Sequence, residues 1–165
     1  MIELQRLTPE DWRVIRDVRL RSLADAPQAF TSSVERESQF DEETWRDRTT
    51  TCQWFVANDH GEIVGVAGGL DGWSGEPSKL ELVGMWVAPS HRGQGIARRL
   101  LHCVALWARS EGATTLSLGV REGNEAAHLA YDSMGLRSTG QTMPVWNVPT
   151  ESIEIMEMDL ASTLS

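Results

Sequence analysis

One stretch constrains this chain more than any other: Val87-Ala88-Pro89-Ser90-His91-Arg92-Gly93-Gln94-Gly95-Ile96-Ala97. A strand-like apolar run, Lys79 to Val87, enters a turn, and the turn passes through two glycines into a helix. The first N–H groups of a helix have no internal partner, and the aligned peptide dipoles place about half a positive charge there. Glycine lets a ligand approach the bare backbone. With Arg92 just ahead of it, the junction suits a phosphate or pyrophosphate.

The rest of the chain supplies elements to pack around that junction. Residues 1 to 7 read as a strand. Thr8-Pro9-Glu10-Asp11 opens a helix, with Thr8 as N-cap, and Pro27 ends it. Residues 28 to 40 read as a loop holding Phe30 and Phe40, and Glu42 to Thr50 as a second helix with Trp45. Cys52 to Asn58 and Glu62 to Leu70 read as strands joined at Asn58-Asp59-His60-Gly61, a hairpin signal. After the glycines, Ile96, Leu100, Val104 and Trp107 recur at helical spacing as far as Ser110. Thr114 to Val120 is strand-like, Asn124 to Met134 helical and stopped by Gly135, and strands follow from Leu136 and over Ile153 to Leu160. This order predicts the α/β class (α+β type): a mixed, largely antiparallel sheet of six to seven strands with about four flanking helices.

The 165 residues suit a single domain, 1–165. The N-terminus lacks the apolar stretch of a signal peptide, and no run approaches the ~18 apolar residues of a membrane span. Two cysteines and no metal-spaced His/Cys cluster argue against a disulfide framework and a metal site. Together these features predict a cytoplasmic protein with no membrane partner. The formal net charge of -9 argues against a nucleic-acid partner and is compatible with cationic substrates.

Three readings compete for the glycine turn. A P-loop needs Gly-Lys-Ser/Thr, but Gly95 is followed by Ile96-Ala97. A dinucleotide fold needs a third glycine where Arg98 stands, and an acid after the next strand, which ends at Val120-Arg121. A purely structural glycine turn is the third reading.

Arg92-Gly93-Gln94-Gly95-Ile96-Ala97 resembles the Arg/Gln-x-x-Gly-x-Gly/Ala signature of the GNAT superfamily of N-acetyltransferases. The segment Asn124 to Leu136 is similar to that family's Asn-x-x-Ala-x-x-x-Tyr-x-x-x-Gly-Phe motif, with Leu136 in place of phenylalanine. The strand Leu80 to Pro89 leads into the first motif as in the family. The resemblance runs from about residue 62 to 136 and fades on both sides.

The resemblance implies acetyl-coenzyme A as acetyl donor. Backbone N–H groups of Gly93, Gln94, Gly95, Ile96 and Ala97 would take its pyrophosphate, with Arg92 and Arg98 adding charge. It implies a splay between Met85-Trp86-Val87 and Leu118-Gly119-Val120 into which the pantetheine arm inserts, bonded near Val87. Gly84 and Gly119 suit a bulge or close approach. Strand alternation puts Trp86 with Leu82 and Gly84, opposite Glu81, and its ring in the core. Asn124, Ala127 and Tyr131 share a helix face. Tyr131, the chain's one tyrosine, stands where a phenol would protonate the leaving thiolate, and Asn124 serves the arm, the helix cap or both. Glu81, among apolar neighbours on the central strand, is the candidate general base.

None of the four histidines completes a nucleophile triad, and Cys103 reads as core, so direct transfer to a primary amine in a ternary complex is expected. The alternative is a non-catalytic acyl-coenzyme A-binding regulatory domain. The acceptor, a small molecule or peptide amine, is not legible. The first helices and the segment 140–149 with Met143 and Trp146 are expected to line its pocket, and Trp12, Phe30, Trp45, Trp73 and Trp146 are candidates for an aromatic wall or for packing. A homodimer through the last strand is a further expectation.

Overall fold

The computed structural model describes residues 1–71, 75–145 and 148–163. Seven strands form one sheet: β1 (Ile2–Arg6), β2 (Gln53–Asp59), β3 (Glu62–Asp71), β4 (Lys79–Val87), β5 (Thr115–Arg121), β6 (Arg137–Val145) and β7 (Val148–Asp159), in the order β1-β2-β3-β4-β5-β7-β6. Every pairing is antiparallel except β4 with β5. The helices are α1 (Trp12–Asp25), α2 (Val34–Glu37), α3 (Glu42–Thr51), α4 (Ile96–Ser110), α5 (Glu125–Ser133) and α6 (Leu160–Thr163). Four of them have nine residues or more, matching the expected architecture.

Local chemistry explains the junctions. Asp11 accepts the Thr8 N–H at 2.9 Å, closing the start of the first helical segment. His60 and Gly61 both have positive φ, and Asn58 accepts the Gly61 N–H, which makes the tight β2–β3 hairpin. The 28–40 stretch is not all loop: Ser33 caps α2, whose Glu37 is buried. The last strand begins at Val148, earlier than the apolar run announced. It lies between β5 and β6, so it is no free edge for a partner, and the expected dimer through this strand loses its physical basis.

The β4–β5 ladder is short. Parallel pairing runs only from Lys79↔Thr115 to Glu81↔Ser117, and beyond it the strands part. This is the expected splay between Met85–Val87 and Leu118–Val120.

The antiparallel neighbour β3 follows β4 through a bulge. Gly68 pairs with Val83 but Val66 with Trp86, so β4 holds one extra residue there. Gly84 sits in it with φ +66, a backbone state that glycine takes without strain. The bulge reverses the alternation beyond it. Leu82 pairs with Gly69, over which the α4 residues Val104 and Trp107 lie, so Leu82 faces α4. Glu81 pairs with Leu70 and Trp86 with Val66, both on the opposite face, where the α1 residues Arg21 and Asp25 meet the indole. The simple alternation expected for Trp86 is therefore overturned: it shares the face of Glu81, not that of Leu82.

The core lies on both sides of the sheet. From α4, Ile96, Leu100, Val104 and Ala108 pack on one face, while Ile15 and Val18 of α1 and Trp45 of α3 cover the other. Trp45 is fully buried, and Trp12 is only partly so. Neither lines the cavity of about 390 Å³ that lies between β4 and β5. Trp73 and Trp146 lie outside the described residues.

Candidate active site

The site is built on the fork between β4 and β5. The cavity of about 390 Å³ passes there, lined on one side by α1, α3 and residues 29–31, and on the other by β5 and Tyr131 of α5. Glu81 and Tyr131 both line it. Glu81 stands at the apex of the fork, in the last residue pair that β4 makes with β5. Met85, Gly84, Leu118 and Gly119 form its strand walls.

Burial pushes the Tyr131 phenol upward from its ordinary value, so it stays protonated across the neutral range. Its hydroxyl has no hydrogen-bond partner among the described residues and is left to whatever occupies the cavity. Cys52 also lines the cavity, but burial pushes its thiol up to about 12. Burial raises Cys103 as well. Neither cysteine is an activated thiolate nucleophile.

At the open end of the fork, the chain turns through Pro89–His91 into the glycines. Gly93 and Gly95 both have φ +80, and a Cβ on either would meet nothing within 4 Å. Gly95 is the N-cap of α4 and uses no side chain to close the helix. Among the described residues, no backbone or side-chain acceptor takes the N–H groups of Gly93, Gln94, Gly95, Ile96 or Ala97. Ile96 itself is buried, so its contribution is the amide alone. His91 braces the turn from beneath: its Nε2 lies 2.8 Å from Asp59 of the β2–β3 hairpin, and its Nδ1 lies 2.7 Å from Ser90 Oγ.

The expected arginines do something different from what was anticipated. Arg92 stays at the surface but is spent on the chain itself. Its Nε donates to the Val87 carbonyl at 2.9 Å and its Nη2 to Asp25 at 2.7 Å. The Val87 carbonyl is thus already engaged by the chain. The Trp86 indole donates to the same Asp25 carboxylate at 2.9 Å, and that bond first, then Arg92, hold Asp25 below the usual carboxylate range. Trp86 is a core residue, as expected for its ring, and of Met85, Trp86 and Val87 only Met85 lines the cavity. Arg98 donates to the Ser133 carbonyl at 3.2 Å, fastening the end of α5 to α4.

On α5, Asn124 is the N-cap: its side chain accepts the Ala127 N–H at 3.2 Å. Ala127 packs against the core. Of the face predicted from Asn124, Ala127 and Tyr131, only Tyr131 reaches the cavity. The segment 140–149 contributes no described residue to the lining, whereas the first helices, also expected there, contribute Arg19 of α1 and Arg48 and Thr51 of α3, with Phe30 and Thr31 between them.

Sequence reading missed one group altogether. Arg19 of α1 and Arg48 of α3 line the cavity, and both grip Glu37. Arg19 is bidentate, at 3.0 and 3.1 Å, and Arg48 lies 2.5 Å from the same carboxylate. Burial alone pushes Glu37 up, but the hydrogen bond and charge of Arg19, with Ser32 and Arg48, bring it down to about 2. A signal was present: Arg19 falls among Ile15, Val18, Ser22 and Leu23, the buried face of its helix.

Residues 20–136 match the Acetyltransferase (GNAT) family, and the chain belongs to it. N-acetyltransferase 8 of Rattus norvegicus is 38% identical over 92 residues, which are 54% of this chain and 41% of that protein. The match thus spans less than half the length of that relative. The GNAT-family acetyltransferase of Streptococcus pneumoniae superposes with a TM-score of 0.78 at 16% identity, covering 96% of this chain and 99% of its own. The Salmonella typhimurium protein yncA, solved with its cofactor acetyl-CoA, superposes with a TM-score of 0.73 at 21% identity, covering 97% and 94%. These two likenesses establish the shared fold. Among the described residues, no helix is long and apolar enough to cross a membrane, and no His, Cys, Asp and Glu group could hold a metal ion.

Proposed function

We propose that this protein transfers an acetyl group from acetyl-coenzyme A to a primary amine by direct attack in a ternary complex. The carrying observation is that Glu81 and Tyr131 line one cavity at a strand fork whose open end leads to a run of unused main-chain amides. The residues fit the donor: the amides of 93–97 suit a diphosphate, and the fork suits an extended arm. Acetyl-coenzyme A supplies an activated thioester when bound.

An amine with an ordinary pKa near 10.4 is neutral in fewer than one molecule in a thousand at pH 7, a deficit of about 4–5 kcal/mol. Glu81 takes that proton, directly or through a water. The freed lone pair attacks the acetyl carbon, and the carbon–sulfur bond breaks. Tyr131 gives its proton to the departing sulfur, so the thiol leaves neutral, and the proton that the new amide nitrogen sheds restores the phenol.

Two outcomes test the reading. Glu81→Gln is expected to lower kcat/KM about 100-fold near neutral pH. The deficit shrinks as pH rises toward the amine's own pKa, because the acceptor then deprotonates without help. Free-thiol release followed from pH 6 to 10 reads this, and a deficit constant across pH overturns the base assignment. Gly95→Ala forces a side chain into the left-handed region, which costs about 1–2 kcal/mol. It is expected to weaken acetyl-coenzyme A binding several-fold by calorimetry, with the acceptor KM unmoved. Tight cofactor binding with no turnover of any amine favours the alternative, a non-catalytic acyl-coenzyme A-binding domain.

A further inference from the structure

We propose that the acetyl acceptor carries a carboxylate beside its amine, held by Arg48 and Arg19 with Arg121 facing them, so that the acceptor class is amino acids or their close derivatives. The proposal deepens the transferase reading above and rests on it.

The charge arithmetic of the α1–α3 wall is uneven. Two guanidinium groups share the single carboxylate of Glu37, leaving one positive charge in excess at the cavity. Arg19 is only 8% exposed and spends Nε and Nη2 on Glu37. Its Nη1 has no acceptor among the described residues and lies 3.6 Å from where a Cβ on Gly84 would stand, at the cavity wall. From β5, Arg121 gives Nη1 to the Gln28 carbonyl at 3.3 Å and brings Nη2 to 3.4 Å from Glu151, while its Nε is buried with no acceptor.

Glu81 is the one carboxylate among the described lining residues. The cavity therefore offers an acid for an ammonium group and unspent guanidinium N–H for an anion. Planar guanidinium groups suit a carboxylate in particular. A zwitterionic amino acid satisfies both ends, whereas a bare polyamine would meet three guanidinium groups. The net charge of -9 points the other way, but it is a property of the whole surface, not of this wall.

The test compares matched acceptors by free-thiol release: L-leucine and L-phenylalanine, their amides, and the carboxylate-free 3-methylbutylamine and 2-phenylethylamine. The acids are expected to exceed their counterparts about 100-fold in kcat/KM, the scale of a buried charge pair. The advantage collapses in Arg48→Gln, where Glu37 keeps Arg19 as its partner and the fold keeps its buried pair. Arg121→Gln, which touches no part of that pair, weakens the advantage independently. Equal turnover of acids and amides overturns the proposal while leaving the transferase reading intact, as does an advantage that survives both substitutions.

If no amine is turned over, calorimetry with N-acetyl-L-leucine and its amide, in the presence of coenzyme A, decides. Preference for the acid, lost in Arg48→Gln, supports the carboxylate site and sinks the transferase reading. No preference overturns the site as well.

Discussion

Glu37→Ala is expected to destabilise the protein by about 3–5 kcal/mol, read as a lower urea midpoint at pH 7 with an unchanged slope. The size follows from what stays behind. Glu37 is 1% exposed and Arg19 8%, so removing the carboxylate leaves a buried guanidinium with no counterion. Arg48, less buried, swings toward water and softens part of the cost. Replacing Glu37 and Arg19 together by leucine and methionine is expected to recover most of the loss, because an apolar pair needs no partner.

The pH dependence has a definite sign. A carboxyl brought down to about 2 from an ordinary 4.5 binds its proton more weakly when folded than when unfolded. Its contribution is therefore complete above about 4.5 and is lost as pH falls toward 2. The wild type should lose stability across that window more steeply than the double variant. Parallel acid unfolding of the two would refute the assignment.

Tyr131→Phe is expected to lower kcat about 100-fold while leaving the KM for acetyl-coenzyme A within about twofold. The change deletes one hydroxyl and keeps the ring, which packs against the core. No hydrogen bond within the described residues is lost with it, so stability should barely move, and thermal unfolding supplies that control. Because burial raises the phenol, no loss of activity from its ionisation is expected through pH 9. A thiol that leaves without help as its own pKa is passed narrows the gap between variant and wild type at high pH. Equal kcat for the two proteins at pH 7 sinks the acid role and leaves the transfer reading standing without it.

Much of the fold was legible because it rests on local rules. The hairpin at Asn58 to Gly61 needs positive φ at consecutive residues, and the sequence shows residues that tolerate it. Helix α4 follows from apolar residues at helical spacing, and the glycine turn from its two glycines. What failed was non-local. The bulge at Gly84 adds one residue to β4 and so inverts every side chain beyond it. Periodicity shows the glycine but not which way the partner strand reads it. The embedding of β7 between β5 and β6 likewise depends on which strands pair, and nothing in its own residues states this.

The amino-acid order alone determined the turn of bare amides at 93–97 and the helix behind it, since both depend on neighbours in the chain. The family resemblance carried by its motifs pointed to Glu81 and Tyr131 as the acid and the phenol worth watching. Only the tertiary structure decided that these two share a cavity. Only it decided that Arg92 is paired with Asp25, and that Arg19 and Arg48, 29 positions apart, divide one carboxylate from α2. The reason is range: dihedral preferences act between adjacent residues, whereas a charge is paired by whatever the folded chain brings within a few ångströms.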